Sequence, residues 1–139
     1  MADAAAPGSF DFRHGTGLVR FGAGALDALG ALAADRGCRR ALLVLDGFFA
    51  EHPVADRLRA LLPGCVVAVH VIKGGEPDAD SLGAAARALT DREADLVVAL
   101  GGGSALDTAK AARGLAANPG PVERLMLGTG GAPAQPHPS

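Results

Sequence analysis

Residues 94–104 read ADLVVALGGGS, and this stretch decides the fold. The first seven residues, all apolar except Asp95, fit a strand that is covered on both faces. Three glycines follow at once, and residues 104–117 then have the composition of a helix, which ends at the sequence Asn-Pro-Gly of 118–120. A buried strand that leads through glycines into a helix is typical of a parallel sheet with crossover helices.

The same alternation of strand and helix recurs along the chain. We expect a short β-hairpin over residues 10–21, where two short strands flank a glycine-containing turn. Apolar runs predict further strands at 41–45 and 65–72. Leucine and alanine at spacings of three and four predict helices over 25–36, 53–62, 81–90 and 104–117. The predicted fold class is therefore α/β, with a parallel sheet and crossover helices on both of its faces.

The Gly-Gly-Gly-Ser turn at residues 101–104 stands where such folds bind ligands, beyond the carboxyl end of a strand. Glycine lets the backbone approach a ligand closely, and the amides at a helix start bind anions, so we expect this turn to hold phosphates. Ser104 can cap the helix or donate its hydroxyl to a phosphate oxygen, and Asp107 completes a Ser-x-x-Asp capping pattern. Lys110 is not adjacent to a glycine and would lie inside the helix, which argues against a P-loop NTPase.

Asp46 ends the strand at 41–45 and is the second candidate site residue. A carboxylate there can accept hydrogen bonds from both ribose hydroxyls of a dinucleotide, and it repels a 2′-phosphate, which favours NAD over NADP. The alternative is that Asp46 only initiates the turn or helix at Gly47. Gly22 and Gly24 could form a second phosphate loop, because Asp46 follows Gly24 by 22 residues, or only a tight turn into the first helix.

Composition excludes several classes of function. The 139 residues include 13 basic and 15 acidic side chains, a net charge of −2, and they form no basic stripe that would bind nucleic acid. Five Phe, with neither Trp nor Tyr, disfavour a stacking platform for single-stranded nucleic acid. No apolar run is long enough to cross a membrane, and the N-terminus lacks the features of a signal peptide. We expect a cytoplasmic protein with neither a nucleic-acid nor a membrane partner.

The cysteines and histidines predict no metal site. Cys38 and Cys65 lie 27 residues apart and match no metal or redox motif, so a reduced setting is expected. The histidines show neither HxH nor HxxxH spacing, and none is expected to bind a metal. They are His14, His52, His70 and His137.

Taken together, these residues resemble the N-terminal dinucleotide-binding domain of the iron-dependent alcohol dehydrogenase family. Residues 94–110 are similar to the family's apolar strand followed by GGGSxxDxAK. The Asn-Pro-Gly of 118–120 stands where the family commonly has Asn-Pro, residues 21–26 resemble its entry turn, and 43–46 resemble its first ribose-side strand. The resemblance covers residues 10–127 and implies a Rossmann-like fold.

The resemblance implies NAD as the cofactor and hydride transfer between an alcohol and an aldehyde or ketone. The phosphates would lie against the glycine turn, Ser104 and the backbone of the two residues after it. Asp107 would lie toward the nicotinamide, and Asp46 would hold the adenosine ribose. The implied cofactor-binding residues are Asp46, Gly101, Gly102, Gly103, Ser104, Ala105, Leu106 and Asp107.

In the family, a helical domain follows and supplies one Asp and three His to a divalent metal, iron or zinc. The resemblance therefore implies a truncated chain that lacks this domain and binds no metal. It also implies that the chain is inactive alone, and that a homo-oligomer would need the full-length enzyme. We further expect disorder over residues 1–9 and 128–139, on either side of a dinucleotide-binding domain at 10–127.

Two other functions stay open. The glycerol dehydrogenase and dehydroquinate synthase relatives share this sheet and a glycine-rich turn, and their C-terminal halves would separate them. A non-catalytic nucleotide-binding module is the other alternative, favoured if the chain binds nucleotide tightly without a partner.

Overall fold

The computed structural model describes residues 10–14, 17–75 and 78–117, with side chains from Arg20 onward. The expected disordered segments, 1–9 and 128–139, lie outside the described residues. In chain order the elements are β1 (Phe10–His14), β2 (Gly17–Phe21), a 3-10 helix (Ala25–Ala28), α1 (Leu29–Asp35), β3 (Ala41–Asp46), α2 (Gly47–Ala50), α3 (Pro53–Leu61), β4 (Val66–Ile72), α4 (Ala79–Asp91), β5 (Leu96–Leu100) and α5 (Gly103–Ala117).

Two sheets form, as the sequence predicts. β1 and β2 pair antiparallel as a hairpin, with Phe12 opposite Val19. β3, β4 and β5 form a three-stranded sheet in the order β4-β3-β5, and both pairings are parallel. Leu43 in the middle of β3 lies opposite Val69 of β4 and Val98 of β5. The parallel order confirms the predicted α/β class.

Helices cover both faces of the parallel sheet, which explains the continuous apolar run of β3. Leu43 and Leu45 pack into a cluster with buried residues of α1 and α3, among them Leu58. Leu42 and Val44 point the other way and pack with buried residues of α4 and α5. Because β3 has a strand on each edge and helices on each face, residues 41–45 are 0–1% exposed.

The helix boundaries differ from the prediction in several places. The predicted helix at 25–36 divides into the 3-10 helix and α1, and the short helix α2 was not expected at all. α4 begins two residues early because the Asp78 carboxylate accepts a hydrogen bond from the Ser81 N–H at 2.7 Å and caps the helix. α5 begins one residue early, at Gly103.

A carboxylate holds the amino end of the sheet together. Asp95, just before β5, accepts hydrogen bonds from the backbone N–H groups of Arg39 and Arg40 at 3.0–3.1 Å. These two residues lead into β3, so the bonds join the beginnings of the two strands. The register between β3 and β5 is therefore fixed at their beginnings, and it sets which residues stand side by side at the opposite, carboxyl edge of the sheet.

Candidate functional site

The carboxyl edge of the sheet brings Asp46 and the glycine turn together. Leu45 of β3 lies opposite Leu100 of β5, so the next residue of each strand, Asp46 or Gly101, is at the same level. Ligands of open parallel sheets bind at this edge. The fold thus unites two features that stand 55 residues apart in the sequence.

One oxygen of the Asp46 carboxylate is used by the fold. Its Oδ1 accepts a hydrogen bond from the Phe48 N–H at 3.0 Å, and this contact caps α2. The helix-initiating role that the sequence left open is therefore confirmed. Within the described part of the chain, Oδ2 has no hydrogen-bond partner. The half-buried carboxylate keeps one acceptor for a ligand at the carboxyl edge.

The first glycine of the turn is required by packing. Gly101 has a φ of 150°, in the region that L side chains rarely adopt. A β-carbon built on Gly101 would lie 2.7 Å from the β-carbon of Asp46 and 3.0 Å from that of Ala105. No side chain fits there, so the fold alone explains this glycine.

The next two glycines are not required by the fold. Neither Gly102 nor Gly103 has a φ in the left-handed region, and a β-carbon on either would meet no atom of the described residues within 4 Å. Both lie at the start of α5, where backbone N–H groups have no acceptor within the helix and attract anions. Among the described residues, the space beside these two glycines is open.

The Ser104 hydroxyl joins the glycine turn to the loop after β4. It donates a hydrogen bond to the carbonyl oxygen of Gly75 at 2.8 Å. Since α5 begins at Gly103, Ser104 lies inside the first turn, so the predicted capping pattern with Asp107 is wrong. The physical reason is that glycine can itself begin the helix one residue earlier, which moves Ser104 out of the cap position.

The remaining predicted site residues lie along the first turns of α5. The Ala105 side chain is fully buried against the sheet, so only its backbone could meet a ligand. The Leu106 and Asp107 side chains are exposed. Their contacts with a cofactor stay predictions.

Gly22 and Gly24 form a tight turn into the 3-10 helix. Both have φ in the left-handed region, at 143° and 77°. The Ala25 N–H donates a hydrogen bond to the carbonyl oxygen of Gly22 at 3.2 Å, and the Asp27 N–H donates one to the carbonyl oxygen of Gly24 at 3.0 Å. Because these amides are used within the turn, the structure favours the turn over a second phosphate loop.

Potential metal ligands do not cluster in the described ranges. No group of three or more His, Cys, Asp or Glu side chains that could hold a metal ion occurs there. No helix in 10–14, 17–75 or 78–117 has both the length and the apolar character of a membrane span.

The sequence did not single out an aromatic cluster that follows Asp46. The rings of Phe48 and Phe49 meet edge to face with centroids 5.0 Å apart, and the His52 ring lies 5.8 Å from Phe48 and 5.9 Å from Phe49. The signal that could have found it is a pair of phenylalanines directly after a strand-ending Asp-Gly.

The parallel sheet, its two helical layers and the glycine turn at its carboxyl edge define a Rossmann-like α/β domain. Residues 17–139 match the family model described as iron-containing alcohol dehydrogenase. The chain belongs to this family, which confirms the resemblance found in the sequence.

Two relatives are alcohol dehydrogenases by name. Alcohol dehydrogenase 4 of Saccharomyces cerevisiae is 32% identical over 104 residues, which are 73% of this chain and 27% of that protein. Probable alcohol dehydrogenase EutG of Salmonella typhimurium is 38% identical over 100 residues, which are 70% of this chain and 25% of the relative. The chain thus spans about a quarter of the length of these relatives.

A solved structure shares the fold of the described domain. The crystal structure of sulfoacetaldehyde reductase from Bifidobacterium kashiwanohense in complex with NAD+ matches with a TM-score of 0.68 at 29% sequence identity. The match covers 73% of this chain and 27% of that one.

Proposed function

We propose that this chain supplies the NAD-binding part of an alcohol dehydrogenase that transfers hydride between an alcohol and an aldehyde or ketone. One observation carries the proposal: Gly102 and Gly103 stand at a helix start, and the packing of the described residues requires a glycine at neither position. A dinucleotide phosphate explains them, because a residue without a side chain lets phosphate oxygens approach the backbone amides most closely. The NAD+ complex of a similar structure supports the choice of ligand.

Asp46 supports NAD rather than NADP as the cofactor. The β-carbon of Asp46 lies beside Gly101, so its carboxylate stands next to the proposed phosphate-binding turn. A carboxylate at this position accepts hydrogen bonds from ribose hydroxyls and repels a 2′-phosphate. We therefore expect this chain to bind NAD more tightly than NADP.

The bound cofactor would supply the hydride chemistry at its nicotinamide ring. The residues of this chain would bind and orient it: the glycine turn at the phosphates, Asp46 at the adenosine ribose and Asp107 toward the nicotinamide. Among the described residues, no group of three or more His, Cys, Asp or Glu side chains could hold the family's metal.

Calorimetric titration of the chain with NAD tests the proposal. We expect saturable binding, weakened about tenfold or more, about 1.4 kcal/mol, by Gly102→Val, which fills the open space with a side chain. The matched control is Gly114→Val near the other end of α5, where a β-carbon also meets no atom of the described residues within 4 Å. Equal NAD affinities of the two variants, or no binding at millimolar NAD, would count against the phosphate site.

The expectation that these 139 residues alone turn over no alcohol stays a prediction. Assays of NADH formation with primary alcohols, in the presence of added iron or zinc, test it directly. Metal-dependent oxidation by the purified chain would overturn it. Tight NAD binding without turnover would leave the non-catalytic nucleotide-binding module open, and activity after recombination with a metal-binding domain would exclude that alternative.

A further inference from the structure

Phe48 is the most exposed large apolar side chain among the described residues. Its side chain is 72% exposed, although a phenylalanine ring is usually buried to remove its apolar surface from water. The chain has only five phenylalanines and neither Trp nor Tyr, so few aromatic rings are available for any purpose. An exposed ring at this place in the fold therefore calls for an explanation.

The backbone of Phe48 is fixed beside the Asp46 carboxylate. Its N–H donates to Oδ1 of Asp46 at 3.0 Å, within the cap that starts α2 directly after β3. Phe48 thus lies at the carboxyl edge of the sheet, next to the glycine turn that Asp46 contacts at Gly101. The exposed ring and the candidate ribose acceptor share one short segment of chain.

Neighbouring rings hold the Phe48 ring in place from one side. Phe49 meets it edge to face at an interplanar angle of 89°, and the His52 ring lies at 31° to it with centroids 5.8 Å apart. His52 is itself fixed, since its Nδ1 accepts a hydrogen bond from the Val54 N–H at 3.1 Å at the start of α3. Aromatic pairs at these separations attract each other, so Phe48 presents an exposed surface that is already oriented.

We propose that Phe48 is the stacking surface for the adenine base of the bound dinucleotide. The inference rests on the proposed function, because it uses Asp46 as the ribose acceptor. A nucleobase is bonded directly to its ribose, so a ribose at the free oxygen of Asp46 places the base within reach of a ring two residues along the chain. Adenine is uncharged and flat, and such a base stacks on an aromatic side chain without needing an ionic partner.

A single exposed ring suits this ligand and not a nucleic-acid strand. A strand needs several rings in a row together with a positively charged groove, and this chain has a net charge of −2. One base on one ring requires neither. Because stacking tolerates any base, we also expect the hypoxanthine analogue of NAD to bind nearly as well as NAD.

Titrations followed by 15N NMR spectra of the whole chain test the role of Phe48. The ligands are NAD, AMP and inorganic pyrophosphate, of which pyrophosphate lacks the base. We expect Phe48→Ala to raise the Kd for NAD and AMP about tenfold and to leave pyrophosphate binding unchanged, and Phe48→Leu to give an intermediate loss. The matched control is Val69→Ala, an exposed apolar truncation in the middle of β4, at 38% exposure and away from the strand ends.

Each outcome separates this inference from the function beneath it. If the wild-type chain binds none of the three ligands, the proposed function fails and the inference fails with it. If the wild type binds NAD, and Phe48→Ala binds NAD and AMP as tightly as the wild type does, the function stands and the inference is overturned. A loss of pyrophosphate affinity equal to the loss of AMP affinity also overturns it, because Phe48 would then support the phosphate turn rather than the base.

Discussion

Asp46 and Gly101 are close neighbours across the carboxyl edge of the sheet, where a β-carbon added to Gly101 would lie 2.7 Å from the β-carbon of Asp46. The contact exists because Leu45 and Leu100 are paired neighbours in parallel strands, and the next residue of each strand continues at the same level. Gly101 therefore has a structural role that Gly102 and Gly103 lack. The three glycines, alike in the sequence, divide into one that the fold needs and two that it does not.

Gly101→Ala is expected to lower the free energy of unfolding by about 2–4 kcal/mol, because the methyl group overlaps Asp46 and Ala105 at a φ that alanine rarely adopts. Urea unfolding measures the change. Gly102→Ala serves as the control and should alter stability by less than about 1 kcal/mol, since its methyl group meets open space. Equal stability of the two variants would show that the contact between Asp46 and Gly101 does not constrain the turn.

Asp95→Ala is expected to destabilise the domain by about 1–3 kcal/mol, because the backbone N–H groups of Arg39 and Arg40 lose their acceptor. Asp95→Asn keeps one acceptor oxygen and should lose less. Chemical unfolding of the three proteins gives the order of stability. The amide exchange of Arg39 and Arg40 should quicken in Asp95→Ala, and unchanged exchange would contradict the role assigned to this carboxylate.

The order and type of the larger elements could be predicted from the sequence because each has a clear apolar pattern. The run at 41–45 is apolar at every position, the pattern of a strand that is buried on both faces. β3 is such a strand. Of the predicted buried stripe Leu58, Leu61 and Leu62, the first and last are buried. Leu61 is half-buried, and Leu62 lies just past the end of α3.

Features shorter than a helical period could not be predicted. α2 has four residues, too few to show a repeat, and it depends on a cap between Asp46 and Phe48 that only the folded backbone reveals. The same holds for the site: the sequence indicates a phosphate-binding turn, but it cannot show that Gly101 meets Asp46, because that contact depends on strand register. The partner of Ser104, the Gly75 carbonyl, is a long-range contact of the same kind.

Thr108→Val is expected to raise the free energy of unfolding by about 1 kcal/mol. The Thr108 side chain is 0% exposed in α5, and its hydroxyl has no hydrogen-bond partner in the described part of the chain. Burying a hydroxyl without a partner lowers the free energy of unfolding, because the bonds to water that it makes in the unfolded chain are lost. Valine keeps the shape and removes the polar group. Thr108→Ala is the control, because it also removes a buried methyl group and should be less stable than Thr108→Val. Thermal unfolding of the three proteins gives the order, and a valine variant less stable than the wild type would contradict the prediction.

The stability of the domain should depend on pH through His70. The His70 ring on β4 is half-buried, and its Nε2 atom is 3.1 Å from the Ser81 hydroxyl oxygen. Burial lowers the pKa of His70 below its usual value of 6.5. The folded state therefore prefers the neutral ring, and between its lowered pKa and 6.5 the unfolded state binds more protons. The stabilisation is present above pH 6.5 and is lost as the pH falls through this window.

His70→Gln removes this titration and keeps a polar group that can bond to Ser81. We expect the free energy of unfolding of the wild type to fall more steeply between about pH 7 and pH 5 than that of the variant, because only the wild type must take up a proton at this site. Urea unfolding at several pH values measures both slopes, and an NMR titration of the ring gives the pKa of His70 directly. Parallel slopes, or a pKa at or above 6.5, would show that burial does not disfavour the protonated ring.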